Sequence, residues 1–234
     1  MGEARGDKEH WTRVAAEWVD WARAPDHDAF WAYRDALADC LGAGEGKALD
    51  VGCGEGRVSR LLTALGYQVT AADAVAEMVA AAEQAGSAHE YVVAPAGALP
   101  FEDASFDLVM SYNMLMDVRD VPAAVGEMKR VLREDGTLFL SVVHPLVDLE
   151  LLKAGETYFE QRHFDTAAEA RGLSMHFAGW ARPIETYAGA LEAAGLAITS
   201  IREPAAKVRD EQGLWEHGTR FPLFLWLKAR PFPG

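Results

Sequence analysis

Apolar residues in the first part of the chain recur at helical spacing. Trp11, Val14, Ala15, Trp18 and Ala22 fall on one face of a predicted helix over 10–23, which Pro25 breaks. A second helix follows, capped by Asp26 or Asp28, with Phe30, Tyr33, Leu37 and Leu41 on one side. From residue 47 the pattern changes to short apolar runs that end at glycines or acids. Lys47 to Val51, Tyr67 to Ala72, Tyr91 to Ala94 and Phe106 to Tyr112 read as strands. Helical spacing separates several of them, from Arg57 to Leu65 and again at Val75, Met78, Val79 and Ala82. Asp120 caps a further helix with Pro122 in its first turn and Val125, Met128 and Leu132 on one face. Asp135-Gly136 then turns the chain into a strand from Thr137 to Val143.

Residues 144–182 break this rhythm. The stretch is too long for a plain connection in a compact domain, which predicts a functional insertion. Pro183 opens a helix through Ala194, and strands follow at Leu196 to Arg202 and Phe221 to Arg230. A polar loop without a helix joins these last two, so they are expected to run antiparallel. Strands alternating with helices predict an α/β fold with one open sheet, parallel except for a reversed final strand.

The 234 residues fit one domain, and 50% hydrophobic with 25% charged residues is ordinary for a globular chain. The net charge of -14 and the lack of a basic stripe argue against a nucleic-acid surface and against anionic membranes. Cys40 and Cys53 are too few for a disulfide framework, which favours a reducing compartment. The start, MGEARGDKEH, has no apolar core, and no run approaches the ~20 residues needed to span a bilayer. These features together predict a cytoplasmic protein.

The most informative segment is Leu49-Asp50-Val51-Gly52-Cys53-Gly54-Glu55-Gly56-Arg57, placed where a strand ends and a helix begins. Glycines there let the backbone turn tightly and approach a ligand, and the helix N-terminus attracts a negative group such as a carboxylate. Asp73 ends the next strand, 17 residues past Gly56, where its carboxylate can accept both hydroxyl hydrogens of a ribose. This constellation predicts a nucleoside-ligand site. The dinucleotide fingerprint G-x-G-x-x-G would need Gly or Ala at 57, where Arg57 stands.

LDVGCGEGR resembles the first motif of class I S-adenosylmethionine-dependent methyltransferases, of the bacterial small-molecule type. The likeness extends over roughly 45–230, through Asp73, ALPFEDASFDLV at 98–109 and the DGTLFLSV strand. It implies a Rossmann-like open sheet of seven strands with helices on both faces and an antiparallel last strand. It also divides the single domain 1–234 into an N-terminal helical lid (1–44), a cofactor-binding half (45–143), a substrate-cap insertion after the fifth strand (144–182) and a C-terminal helix with a strand pair (183–234). The resemblance implies S-adenosylmethionine as cofactor and S-adenosylhomocysteine as product. Gly52, Gly54 and Gly56 would pack on the methionine part, Asp73 would hold the ribose, and Met78, Ser111 and Tyr112 would lie near the cofactor. Asp50, Cys53, Arg57, Ala74, Ala96 and Gly97 complete that set. Family members often place Asp-Ala before A-L-P-F to take the adenine amino group. Here Pro95-Ala96 stand in its place, leaving the Ala96 amide and apolar walls such as Leu99.

The fourth strand delivers Ser111 to Asp117 to the ligand-binding edge of such a sheet. The resemblance puts Asp117 near the methyl acceptor. The N-P-P-Y type sequence of enzymes that methylate nucleobase or glutamine nitrogens is absent, since Met114 follows Asn113. His144 directly follows the fifth strand and is expected to face the crevice as general base, with His176 second and Asp117 orienting either. The insertion also carries Tyr158, His163 and Trp180. The three histidines 144, 163 and 176 lack metal-ligand spacing, so no metal is expected. Trp11, Trp18, Asn113, Tyr158 and Trp180 are the expected acceptor contacts. The function expected is in-line methyl transfer to a small organic acceptor, at a hydroxyl oxygen, by a monomer or homodimer. A nitrogen or carbon acceptor, or a non-methylating binding protein of the same fold, are the alternatives.

Overall fold

A computed structural model describes residues 7–25, 27–147, 149, 152–206 and 217–232; Asp26 lies outside them. Helix α1 (Asp7–Arg23) leads into α2 (Ala29–Leu41), whose cap is Asp28, accepting the Phe30 N–H at 2.9 Å. The strands and helices then run β1 (Lys47–Val51), α3 (Arg57–Ala64), β2 (Gln68–Asp73), α4 (Ala76–Gln84), β3 (Glu90–Val93), β4 (Phe106–Tyr112), α5 (Val121–Val131) and β5 (Leu132–Val143). Two strands, β6 (Arg162–Ala170) and β7 (Leu173–Ala181), precede α6 (Ile184–Ala193), β8 (Leu196–Arg202) and β9 (Phe224–Pro231).

The main sheet has seven strands in the order β3-β2-β1-β4-β5-β9-β8. All neighbours from β3 to β5 pair in parallel, and β9 runs antiparallel to both β5 and β8. The expected reversed final strand is therefore present. Buried Phe30, Tyr33, Leu37, Val58 and Leu62 of α2 and α3 cover one face. Val125 and Met128 of α5, with Tyr187 and Leu191 of α6, cover the other. Strand alternation sorts the sheet residues between these layers. Leu108, Met110 and Tyr112 meet the first layer, while Val109, Leu140 and Val142 meet the second.

Some boundaries differ from expectation. β5 begins at Leu132 instead of Thr137, because Phe106 pairs with Leu132 before the ladder resumes at Leu108 and Thr137, with Asp135-Gly136 bulged out between. β9 begins at Phe224, behind a short 3-10 turn at His217–Thr219. The insertion forms a hairpin, β6 to β7, that makes its own two-stranded sheet. Its inner side packs on α1, where Val14, Trp21 and Met175 form a small buried cluster with Trp11, Trp18 and Phe177 against it.

Candidate active site

Between β1 and α3 the chain makes three left-handed steps, at Gly52 (φ 76), Gly54 (φ 54) and Gly56 (φ 90). A Cβ at Gly52 would strike Met114 Cγ at 2.2 Å, and one at Gly54 would lie 3.1 Å from Trp18 Nε1. Helix α1 and the loop after β4 thus both approach this turn closely, which only glycine permits. The turn is tied to the second strand. The Gly52 and Cys53 N–H groups donate to the Ala72 carbonyl at 2.8 and 3.0 Å. Asp73 accepts the Gly54 N–H on one oxygen and the Val75 N–H on the other, both at 2.9 Å. Burial raises the Asp73 pKa, and these N–H donors partly offset it.

Beneath the turn, Asp50 is fully buried. The Ser59 hydroxyl donates to its Oδ2 at 2.6 Å, while its Oδ1 has no partner. Burial pushes this carboxyl up to about 7. Glu55 is also buried, gripped by Arg60 at 2.8 Å and by Arg23, at the end of α1, at 3.1 Å. One end of α1 is therefore fastened to the glycine turn. The other end is held by His10, whose Nε2 meets the His176 carbonyl at 2.9 Å while Arg13 meets its Nδ1 at 3.0 Å.

These elements enclose a cavity of about 600 Å³ at the carboxyl ends of the central strands. Its floor is the glycine turn with Asp50 and Asp73. One wall is Val75, Met78, Ala94, Pro95, Ala96 and Gly97. The opposite wall is largely apolar: Met114, Met116, Val143, Phe164, Phe177, Leu223 and Phe224. Trp11 and Trp18 of α1 close it from above. Arg57 lies along the side, paired with Asp28 and stacked on Trp18 (4.7 Å) and Phe30 (5.2 Å). Lys8 and Arg119 stand exposed at the rim.

Most sequence-predicted residues come together here. Asp50, Gly52, Cys53, Gly54, Arg57, Asp73, Ala74, Met78, Ala96, Gly97 and Tyr112 line the cavity, as do Trp11, Trp18, Asn113 and Asp117. Six others do not. Gly56 turns toward α4, where a Cβ would meet Ser87 Oγ at 2.2 Å. Ser111 alternates with Tyr112 and so faces the α5/α6 layer, fully buried. His144 fails for the same reason: Val143 takes the cavity position, and the histidine turns away. Its Nδ1 accepts the Leu146 N–H at 3.1 Å, and its Nε2 meets Glu203 at 2.9 Å, so both ring nitrogens are engaged. His176 pairs with Asp165 across the hairpin, leaving Phe177 at the cavity. The Tyr158 hydroxyl accepts the Ile184 N–H at 3.1 Å. Trp180 packs edge-on against His163 at 5.0 Å. Leu99, an expected adenine wall, is buried below the loop while Ala94 and Pro95 provide that surface.

Sequence reasoning missed Phe164 and Phe177, which needed the hairpin register, and Leu223 and Phe224, which needed β9 placed beside β5. It also missed Arg130 of α5, which holds the Leu99 and Phe101 carbonyls at 2.9 and 2.7 Å and so fixes the loop after β3.

A methyltransferase domain family matches residues 49–140. A malonyl-[acyl-carrier protein] O-methyltransferase of Serratia marcescens is 33% identical over 134 residues, 56% of this chain and 52% of the relative. A ubiquinone biosynthesis O-methyltransferase of Xanthomonas oryzae is 38% identical over 117 residues, 48% of each. The chain thus spans about half the length of these curated relatives. A solved S-adenosylmethionine-dependent methyltransferase from Mesorhizobium loti shares the fold with a TM-score of 0.62 at 23% identity, covering 88% of this chain and 99% of the other. The 1,6-didemethyltoxoflavin-N1-methyltransferase of Burkholderia thailandensis, solved with S-adenosylhomocysteine, gives 0.61 at 18%, covering 100% and 93%. This domain match lies over the very segment that builds the glycine turn and its acidic strand end, and the chain shares its fold with solved S-adenosylmethionine-dependent methyltransferases.

Proposed function

We propose that the protein transfers a methyl group from S-adenosylmethionine to a small organic acceptor at an oxygen atom. The observation that carries this is the cavity at the strand ends, where the glycine turn and Asp73 lie beside a separate apolar wall. The orphaned Asp50 Oδ1 and the glycine positions that a Cβ would fill fit the cofactor. In this reading Asp73 takes the ribose hydroxyls, Ala96 and Gly97 with Met78 flank the adenine, and Asp50 faces a cationic group. Arg57 and the start of α3 serve the carboxylate end. When bound, the cofactor supplies a methyl already activated on a sulfonium. Met116, Phe164, Phe177 and Phe224 hold an apolar acceptor and exclude water, which is positioning work. The O-methyltransferase names of the aligned relatives support oxygen as the acceptor atom.

We assign the site's proton chemistry to Asp117, which lines the cavity, whereas His144 and His176 do not. Asp117→Asn is expected to lower kcat by roughly a hundredfold or more, the range of a positioned general base, while His144→Gln stays well short of that loss. Parallel kinetics of the two variants check this, and an inactive His144→Gln that still binds S-adenosylhomocysteine would reverse the assignment. The direct test of function is calorimetry with S-adenosylhomocysteine, followed by transfer of labelled methyl to phenols, alcohols, carboxylates and amines. Binding without any methylated product would favour a non-methylating role.

The lid also has a measurable signature. Trp18 lies on Gly54 and Trp11 lines the cavity, so intrinsic fluorescence should shift when S-adenosylhomocysteine binds. Trp18→Phe should remove most of that shift. A shift unchanged in this variant and in Trp11→Phe would place the reporter, and so the ligand, elsewhere.

A further inference from the structure

Arg182 carries a buried charge at 2% exposure, between the end of β7 and the start of α6. A buried guanidinium is costly unless its N–H groups are paired. Here Nε donates to Gln161 Oε1 at 3.0 Å, one terminal nitrogen to the Leu115 carbonyl at 2.9 Å, and the other to the Val118 carbonyl at 2.6 Å. Both carbonyls belong to the loop after β4. That loop sends Met114, Met116 and Asp117 into the cavity wall. A few residues earlier in β7, Gly179 makes a second close approach to it. A Cβ there would lie 3.0 Å from the Met116 carbonyl, 3.1 Å from Phe164 Cζ and 3.3 Å from Asp117 Oδ1. The hairpin shares no ladder with the main sheet, so contacts of this kind decide where it rests.

We propose that Arg182 is a positioning residue for the methyl acceptor: through the Leu115 and Val118 carbonyls it sets Met116 and Asp117 at the acceptor wall and locks the hairpin bearing Phe164 and Phe177 against them. This rests on the reading of the cavity as a joint cofactor and acceptor site. Arg182 touches neither partner in that reading. Its influence passes through the loop, and Gly179 keeps the two surfaces close enough for the latch to close.

The test uses the full chain with Arg182→Met, Arg182→Lys and Gly179→Ala. Three quantities are measured: S-adenosylhomocysteine affinity by calorimetry, labelled methyl transfer to matched phenol, alcohol, carboxylate and amine probes, and hydrogen exchange of the 113–119 amides. Arg182→Met should bind S-adenosylhomocysteine about as tightly as the wild type. Its kcat/KM toward the probe that the wild type uses should fall about a hundredfold, the cost of a misplaced reacting geometry. Its 113–119 amides should exchange faster, and Arg182→Lys should recover part of both losses. If Arg182→Met does not fold, the lysine and Gly179→Ala variants carry the same comparison at smaller amplitude. Unchanged transfer, unchanged loop exchange, or affinity falling in step with transfer would each overturn the proposal. Should the wild type methylate none of the probes, loop exchange with intact affinity decides. Failure of the wild type to bind S-adenosylhomocysteine would overturn the cofactor reading instead, while the exchange comparison still judges the latch.

Discussion

Asp73→Ala is expected to weaken S-adenosylhomocysteine binding about tenfold to a hundredfold. The carboxylate ends β2, lines the cavity, and already accepts the Gly54 and Val75 N–H groups, which fix its orientation. Each oxygen retains a lone pair for a ribose hydroxyl. A hydrogen bond to a charged acceptor is worth roughly 1.5–3 kcal/mol, which gives the stated range in affinity. The variant also orphans the Gly54 N–H and so loosens the turn. Asp73→Asn separates the two effects in part, because its one amide oxygen can still accept the Gly54 N–H while the charge and the acceptor for the Val75 N–H are gone. An affinity for S-adenosylhomocysteine that survives Asp73→Ala would remove the ribose assignment.

The second large effect concerns Asp50 in the ligand-free protein. Burial lifts its carboxyl from the ordinary 3.8 to about 7. Between those values the folded chain holds a proton that the unfolded chain releases. Stability contributed by this group is therefore complete below about pH 4 and is lost as pH rises to about 7, then stays level. At 1.36 kcal/mol per unit, the loss is about 3–5 kcal/mol. Asp50→Asn keeps an oxygen for the Ser59 hydroxyl and carries no charge at any pH. It should melt roughly 6–20 °C above the wild type at pH 8 and converge with it near pH 4. It should also bind S-adenosylmethionine more weakly than the wild type, since the cation loses its buried counter-charge. Thermal melts at the two pH values check the sign, and an equal gap at both would refute the linkage.

The central sheet was legible because β1, β4 and β5 are apolar runs ending in glycines or turn residues, a pattern that survives without tertiary information. The glycine turn and Asp73 were legible for a related reason: backbone conformation and strand-end chemistry restrict which residues can stand there. The hairpin was not. Arg162 to Ala170 is mostly small and polar, and its two-residue turn is Arg171-Gly172, both with positive φ (48 and 79), where Asn-Gly would have announced it. The misplaced histidine has a simple physical origin. Knowing that a strand ends at Val143 does not say which face its next residue takes, and a one-residue change of parity moves a side chain across the sheet. His144 went to Glu203 because Val143 had the cavity. Arg182 was invisible because its partners are carbonyls far away in sequence, and carbonyls leave no mark in a pattern of side chains.

The self-contained pairing of β6 with β7 has a consequence for how this chain can diverge. Each strand of the main sheet is bound into a register that a foreign sequence would disturb. Segment 162–181 is exempt, since its ladder closes on itself. Another hairpin could be grafted there, or this one transplanted, without refolding the main sheet, provided that it keeps an arginine at its exit, a small residue opposite Met116 and an apolar face for α1. Under the proposed function, acceptor choice would then evolve by exchange of one cassette, while the half assigned to the nucleoside is inherited unchanged.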